Sequence, residues 1–113
     1  MVNLYYLEME DALIPSTTIT KICIEKAFFG DFPSDLGEEK SALDVEISLH
    51  EYKAKHMQEA LVIRMINNDK KTIQSKNPYR LLRKLTKKIK AIENEEESDI
   101  FVDVDDLNRS ITH

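Results

Sequence analysis

The chain has no tryptophan, two glycines, three prolines and a single cysteine among its 113 residues, and each scarcity removes a class of function. Loops that cradle phosphates need several close glycines so that backbone N–H groups can approach the ligand. Gly30 and Gly37 stand among acidic residues and build no nucleotide site. Cys23 cannot form an intrachain disulfide. It sits between Ile22 and Ile24 with no His or Arg beside it in sequence, so it reads as a buried or half-buried small hydrophobe in a reducing compartment, not as a reactive thiol. No apolar run approaches the roughly 18 to 20 residues that cross a bilayer. Met1 to Met9 carries Glu8 and no basic residue, unlike the basic start and longer apolar core of a signal peptide. The expectation is a soluble cytoplasmic protein with no membrane association.

What is present is an apolar content of 42% and a charged content of 33%. A chain of this length forms one compact domain and buries about two-thirds of its unfolded surface, enough for a small core without staples. In residues 42 to 52, Leu43, Val45, Ile47 and Leu49 alternate with Asp44, Glu46, Ser48 and His50. Period two predicts a half-buried strand. Asn3 to Met9, Thr18 to Phe28 and Ala60 to Ile66 also read as strands, and Asn67-Asn68-Asp69 predicts a turn leading into Lys71-Thr72-Ile73 as a hairpin. For residues 53 to 67 two readings compete. Val62, Ile63 and Ile66 favour a strand, whereas Met57, Ala60, Leu61, Arg64 and Met65 also fall at helical spacing.

Residues 78 to 92 predict a helix on three separate signals. Asn77 is an N-cap, Pro78 takes the first helical position where its missing N–H costs nothing, and Leu81, Leu85, Leu82, Ile89 and Ile92 share one stripe. Ile100 to Val104 alternates again as a short strand or a docking peptide, and Asp105 to His113 is expected to fray. The loop from Gly30 to Lys40 is expected to be the main irregular connection. The sequence thus predicts an α+β fold, a small antiparallel sheet of four or five strands packed by one amphipathic helix over 78–92. Residues 1–99 form the domain and 100–113 an acidic tail.

Charge is segregated along the chain. Residues 1 to 52 hold three Lys against eleven acids, residues 53 to 92 twelve Lys and Arg against two, and residues 93 to 113 one Arg against eight, for a net charge of −5 overall. Such blocks create a field that steers a charged partner, although an acidic tail beside a basic helix also offers self-neutralisation. The residues that would carry binding are Arg80, Arg83, Lys84, Lys87, Lys88 and Lys90 on the 78–92 helix, with Lys70, Lys71 and Lys76 leading into it.

Motifs for chemistry are weak. His50-Glu51 opens like a zinc-protease motif, but the second histidine, His56, comes too late for one metal ion on either a helix or a strand. Asp103-Val104-Asp105-Asp106 has the acid density of a calcium loop without the Gly and distal Glu that complete one. The sequence therefore predicts no metal, no cofactor and no enzyme activity. Two function classes remain, a protein-binding module (adaptor, inhibitor or chaperone-like) and a nucleic-acid-binding regulator using the basic helix. The pI near 5.2 and the acidic neighbours weigh against the second. A homo-oligomer is compatible with either, since a small sheet leaves edges to be paired or covered.

Three stretches, Ile19 to Phe28, Leu43 to Leu49 and Glu59 to Met65, with a long loop after the first, resemble the strand region of the SecB-type export chaperones. That family builds an antiparallel sheet packed by helices, assembles into oligomers and holds unfolded clients on apolar grooves without ATP. The resemblance implies client binding. It covers about half the chain at the level of pattern, and the turn at Asn67 and the basic helix depart from the family, so it implies no particular binding residues.

Overall fold

The computed structural model describes residues 4–32, 41–93 and 100–111. Within them lie six strands and three α-helices: β1 Tyr5–Met9, β2 Ala12–Pro15, β3 Ile19–Ala27, α1 Ala42–Lys55, β4 Gln58–Met65, β5 Lys70–Ile73, α2 Pro78–Glu93, β6 Ile100–Asp103 and α3 Val104–Arg109. The class is α+β. The strands form two sheets of three, ordered β2-β1-β6 and β3-β4-β5, in place of one antiparallel sheet of four or five. The chain divides into two compact units, Met1–Glu25 with Ala60–His113, and Lys26–Glu59.

In the first unit β1 is the centre of a mixed sheet. Leu7 faces Ile14 of β2 in antiparallel register and Val102 of β6 in parallel register. All three side chains are buried. The sequence reading missed β2, because four residues ending in Pro15 give too little alternation to detect. Proline is tolerated there since β2 is an edge strand.

β4 is the middle strand of the other sheet, and Ala60, Leu61, Val62 and Ile63 are all buried, as a strand covered on both faces requires. It pairs antiparallel with β5, Leu61 opposite Ile73 and Ile63 opposite Lys71. The intervening turn holds Asn67 and Asn68 at φ 66°, a left-handed conformation that asparagine accepts because its short amide bonds locally. The competition over residues 53 to 67 resolves to the strand: Gln58–Met65 is β4, none of Met57, Ala60, Leu61, Arg64 and Met65 is helical, and residues 53–55 are only the last turn of α1.

α2 begins as its signals require. The Asn77 side-chain oxygen accepts a hydrogen bond from the Arg80 N–H at 3.1 Å, and its carbonyl accepts from Leu81. Leu81, Leu85 and Ile92 join Leu7, Met9, Leu61, Ile63 and Ile73 in one core cluster, with Leu82 and Ile89 at its margin. Each such fully buried aliphatic side chain contributes about 1.5–3 kcal/mol.

The C-terminal stretch requires a correction. Of Asp105 to His113, expected to fray, residues 105–109 continue from β6 in α3, with Val104 and Ile111 buried in the same core, and residues 112 and 113 lie outside the described residues. Asp103 caps α3 by accepting a hydrogen bond from the Asp106 N–H at 2.9 Å. The acidity that looks like a solvated tail is partly helix-capping chemistry. Residues 33–40 of the expected loop and residues 94–99 of the acidic flank lie outside the described residues. Gly30, at the start of that loop, sits at φ 101°, where a side chain would be strained.

The second unit requires the larger correction, because the strand predicted over residues 42–52 is helical. Ser41 supplies the cap: its hydroxyl oxygen accepts from the Asp44 N–H and its O–H donates to the Asp44 carboxylate. The helix formers Ala42, Leu43, Glu46, Leu49, Glu51 and Ala54 then propagate it. Wound at 3.6 residues per turn, alternating apolar residues divide between opposite faces. Val45, Leu49 and Tyr52 are half-buried on one; Leu43 and Ile47, 65% and 48% exposed, lie on the other. Tyr52 meets Phe28 and Phe32 at centroid distances of 5.9 and 5.7 Å, and this small aromatic group anchors α1.

Candidate functional site

The residues singled out for binding lie on α2 opposite its buried stripe. Steps of three and four bring Arg80, Arg83, Lys84 and Lys87 into one row. Lys88 follows on the next turn, and Lys90 lies on the Arg83 side. Arg83, Lys87 and Lys88 are exposed; Lys84 is half-buried and donates from Nζ to the Ser110 hydroxyl at 2.9 Å. A hollow of about 550 Å³ is lined by Asn77, Tyr79, Arg80, Arg83, Lys84 and Lys87. A second, of about 360 Å³, shares Lys84 and Lys87 with it and adds Lys88, Ala91 and Leu107. The cationic row therefore flanks a track that becomes apolar toward the C-terminal end of the helix.

Among the described residues no carboxylate pairs with Arg83, Lys84, Lys87 or Lys88, and residues 94–99 of the acidic flank lie outside them. The ion pairs Arg64–Glu25, Lys71–Asp11 and Arg109–Asp106 involve none of these four. The described C-terminal carboxylates are held locally: Asp103 caps α3, Asp105 accepts from the Glu10 N–H at 2.6 Å, and Asp106 pairs with Arg109. A row of cations at this density repels itself, and an external anion relieves the repulsion.

The other candidate chemistry is placed as follows. Cys23 is half-buried and lies in a polar cluster that its sequence neighbours do not announce. Its thiol donates to Glu25 at 3.2 Å, while Arg64 clamps the same carboxylate through Nε and Nη2 at 2.5 and 2.6 Å. Arg64 and the thiol hold the Glu25 carboxyl well below the usual range, at about 2. Burial and the neighbouring carboxylate push the Cys23 thiol up, which disfavours the nucleophilic thiolate. His56 closes α1, stacked on Tyr52 at 4.0 Å with Nδ1 2.8 Å from the Tyr52 carbonyl. Among the described residues no group of three His, Cys, Asp or Glu side chains is placed to hold a metal ion. No helix there is long and apolar enough to cross a membrane.

Sequence reasoning missed the apolar part of the track. Leu107 belongs to α3, a helix concealed by its acidic composition, and Ala91 gave no pattern to read. Comparison with protein-family models, curated proteins and solved structures finds no match.

Proposed function

We propose that the protein is a non-catalytic binding module whose α2 face receives an acidic segment of another protein. The observation that carries this reading is the row Arg83, Lys84, Lys87 and Lys88, without a carboxylate partner among the described residues, beside hollows that pass into an apolar patch at Ala91 and Leu107. Cations steer the encounter and the apolar patch supplies area that leaves water. A chaperone-like form of this reading, with unfolded chains as clients, rests on the SecB-type resemblance of the β3 and β4 stretches alone.

A nucleic-acid partner is the second reading, favoured by Tyr79 at the rim of the cationic hollow, where an exposed ring offers a base a stacking surface. Capture from native lysate with and without nuclease, at two salt concentrations, separates the two. The protein reading expects discrete acidic proteins that survive nuclease and are lost in the double variant Arg83→Glu/Lys87→Glu. Recovery of nucleic acid with a steep salt dependence, and of no protein once nuclease is added, supports the second reading and rejects the first.

A further inference from the structure

The track along α2 continues past the lysines. The hollow at Lys88, Ala91 and Leu107 shares these residues with a third hollow of about 360 Å³, whose remaining wall includes the whole of β6. Neighbouring strand residues point to opposite faces. When Ile100, Phe101, Val102 and Asp103 all line one hollow, its wall is therefore the edge of the strand. That edge is open among the described residues, since β6 is outermost in the order β2-β1-β6 and pairs with β1 alone.

An outermost strand presents unpaired N–H and C=O groups, and proteins blunt such edges with proline or lysine. The opposite edge strand, β2, ends in Pro15. β6 reads Ile-Phe-Val-Asp, with neither residue type, and Phe101 is 55% exposed where it stacks on Tyr6 at 5.1 Å. Among the described residues the contrast leaves one edge of this sheet open to pairing, and it is the edge beside α2.

We propose that the partner's segment adds to β6 as a fourth strand, places an apolar side chain beside Ala91 and Leu107, and runs its acidic residues onto Lys88, Lys87, Lys84 and Arg83. This rests on the reading of α2 as a protein-binding face and specifies the partner's form: an extended peptide, apolar where it pairs and acidic beyond. Main-chain hydrogen bonds to the strand edge supply affinity, and the hollow and the cations select the sequence. A nucleic acid has no peptide N–H and C=O groups with which to extend the sheet.

The probe is a capped peptide of alternating Val and Thr flanked at both ends by glutamates, so that either strand direction carries acid toward α2. Binding is read by anisotropy of a dye on the peptide, and hydrogen exchange at the β6 amides is measured in the same samples. The expected result is binding that weakens at least about tenfold, the loss of one charge-assisted contact, in Arg83→Gln/Lys87→Gln, together with slowed exchange at β6. Of two peptides N-methylated at alternate sets of amides, the one blocked on its pairing side is expected to lose binding by a similar factor. Peptide binding that leaves β6 exchange unchanged, or equal binding by both methylated peptides, overturns strand addition and leaves the α2 reading standing. Binding indifferent to the α2 substitutions overturns the α2 reading. No binding of the peptide at millimolar concentration overturns strand addition. Displacement of the bound peptide by a single-stranded oligonucleotide that leaves β6 exchange fast rejects the peptide as the occupant.

Discussion

α1 and α2 are helices of similar length, fourteen and sixteen residues, that are held in opposite ways. α2 buries Leu81, Leu85 and Ile92 in the main core and turns its cations outward; α1 buries no side chain fully and leaves Leu43 and Ile47 in solvent. The difference teaches that an apolar residue stabilises a helix only when its spacing gathers it with others on one face. α2 collects its leucines at three and four, whereas α1 spreads a comparable number of apolar residues over two faces and secures one of them through the contact of Tyr52 with Phe28 and Phe32.

The strongest way to break the comparison is to remove one apolar side chain from each helix. Leu85→Ala is expected to cost about 3 kcal/mol, because the side chain is fully buried and leaves a cavity. Ile47→Ala is expected to stay within about 0.5 kcal/mol, since a half-exposed side chain loses little and alanine is the better helix former. Urea unfolding of both variants measures the pair. Equal losses would mean that Ile47 is covered in solution, as it would be in a homo-oligomer, and protein concentration would then shift the midpoint.

The same contrast explains what was legible in the sequence. α2 was readable because three independent signals agreed: the cap at Asn77, the proline after it and a single stripe. α1 was misread because Leu43, Val45, Ile47 and Leu49 alternate cleanly, and alternation says strand only if one face is to be buried. The deciding information was local and short, the Ser41 and Asp44 cap, followed by a run of helix formers whose weak propensities count only in sum. β2 and α3 escaped for a related reason: each is a few residues long, β2 being held by its hairpin partner, Ile14 opposite Leu7, and α3 by Val104 and Ile111 in a core whose other members are mostly distant in sequence. The candidate cations were legible as a block of charge. The apolar hollow and the open edge of β6 were not, because they arise where α2, β6 and α3 meet.

Cap removal sharpens the comparison at smaller scale. Asn77→Ala and Ser41→Ala each delete a side-chain acceptor at a helix start, and each is expected to cost that helix about 1 kcal/mol. In α2 the loss should appear in global stability, because the helix cannot open without exposing the core. In α1 it should appear as faster hydrogen exchange over Ala42–Lys55 with little change in the global midpoint, because that helix buries no side chain fully. A global loss from Ser41→Ala equal to that from Asn77→Ala would show that α1 unfolds with the core.

Acid provides the last contrast, since the ion pairs Arg64–Glu25, Lys71–Asp11 and Arg109–Asp106 all lie in the unit that contains α2. The Glu25 carboxyl is lowered from its ordinary value of 4.5 to about 2, first by the hydrogen bonds from Arg64 and then by the Cys23 thiol. A carboxyl depressed in the folded state binds fewer protons there than in the unfolded chain. Its contribution is therefore complete above the ordinary carboxylate range and is lost as pH falls from there through the folded value. Asp11, lowered by Lys71, acts in the same direction. Both partners of each pair remain partly exposed, so the effect is modest and weakens with salt. Glu25→Gln should flatten the stability of the β3–β4 pair between pH 5 and pH 2, read by hydrogen exchange at Ile63 and Arg64, and leave α1 unchanged over the same range. If the wild type and Glu25→Gln lose stability in parallel as the solution is acidified, the bridge to Arg64 is not what ties this sheet to pH.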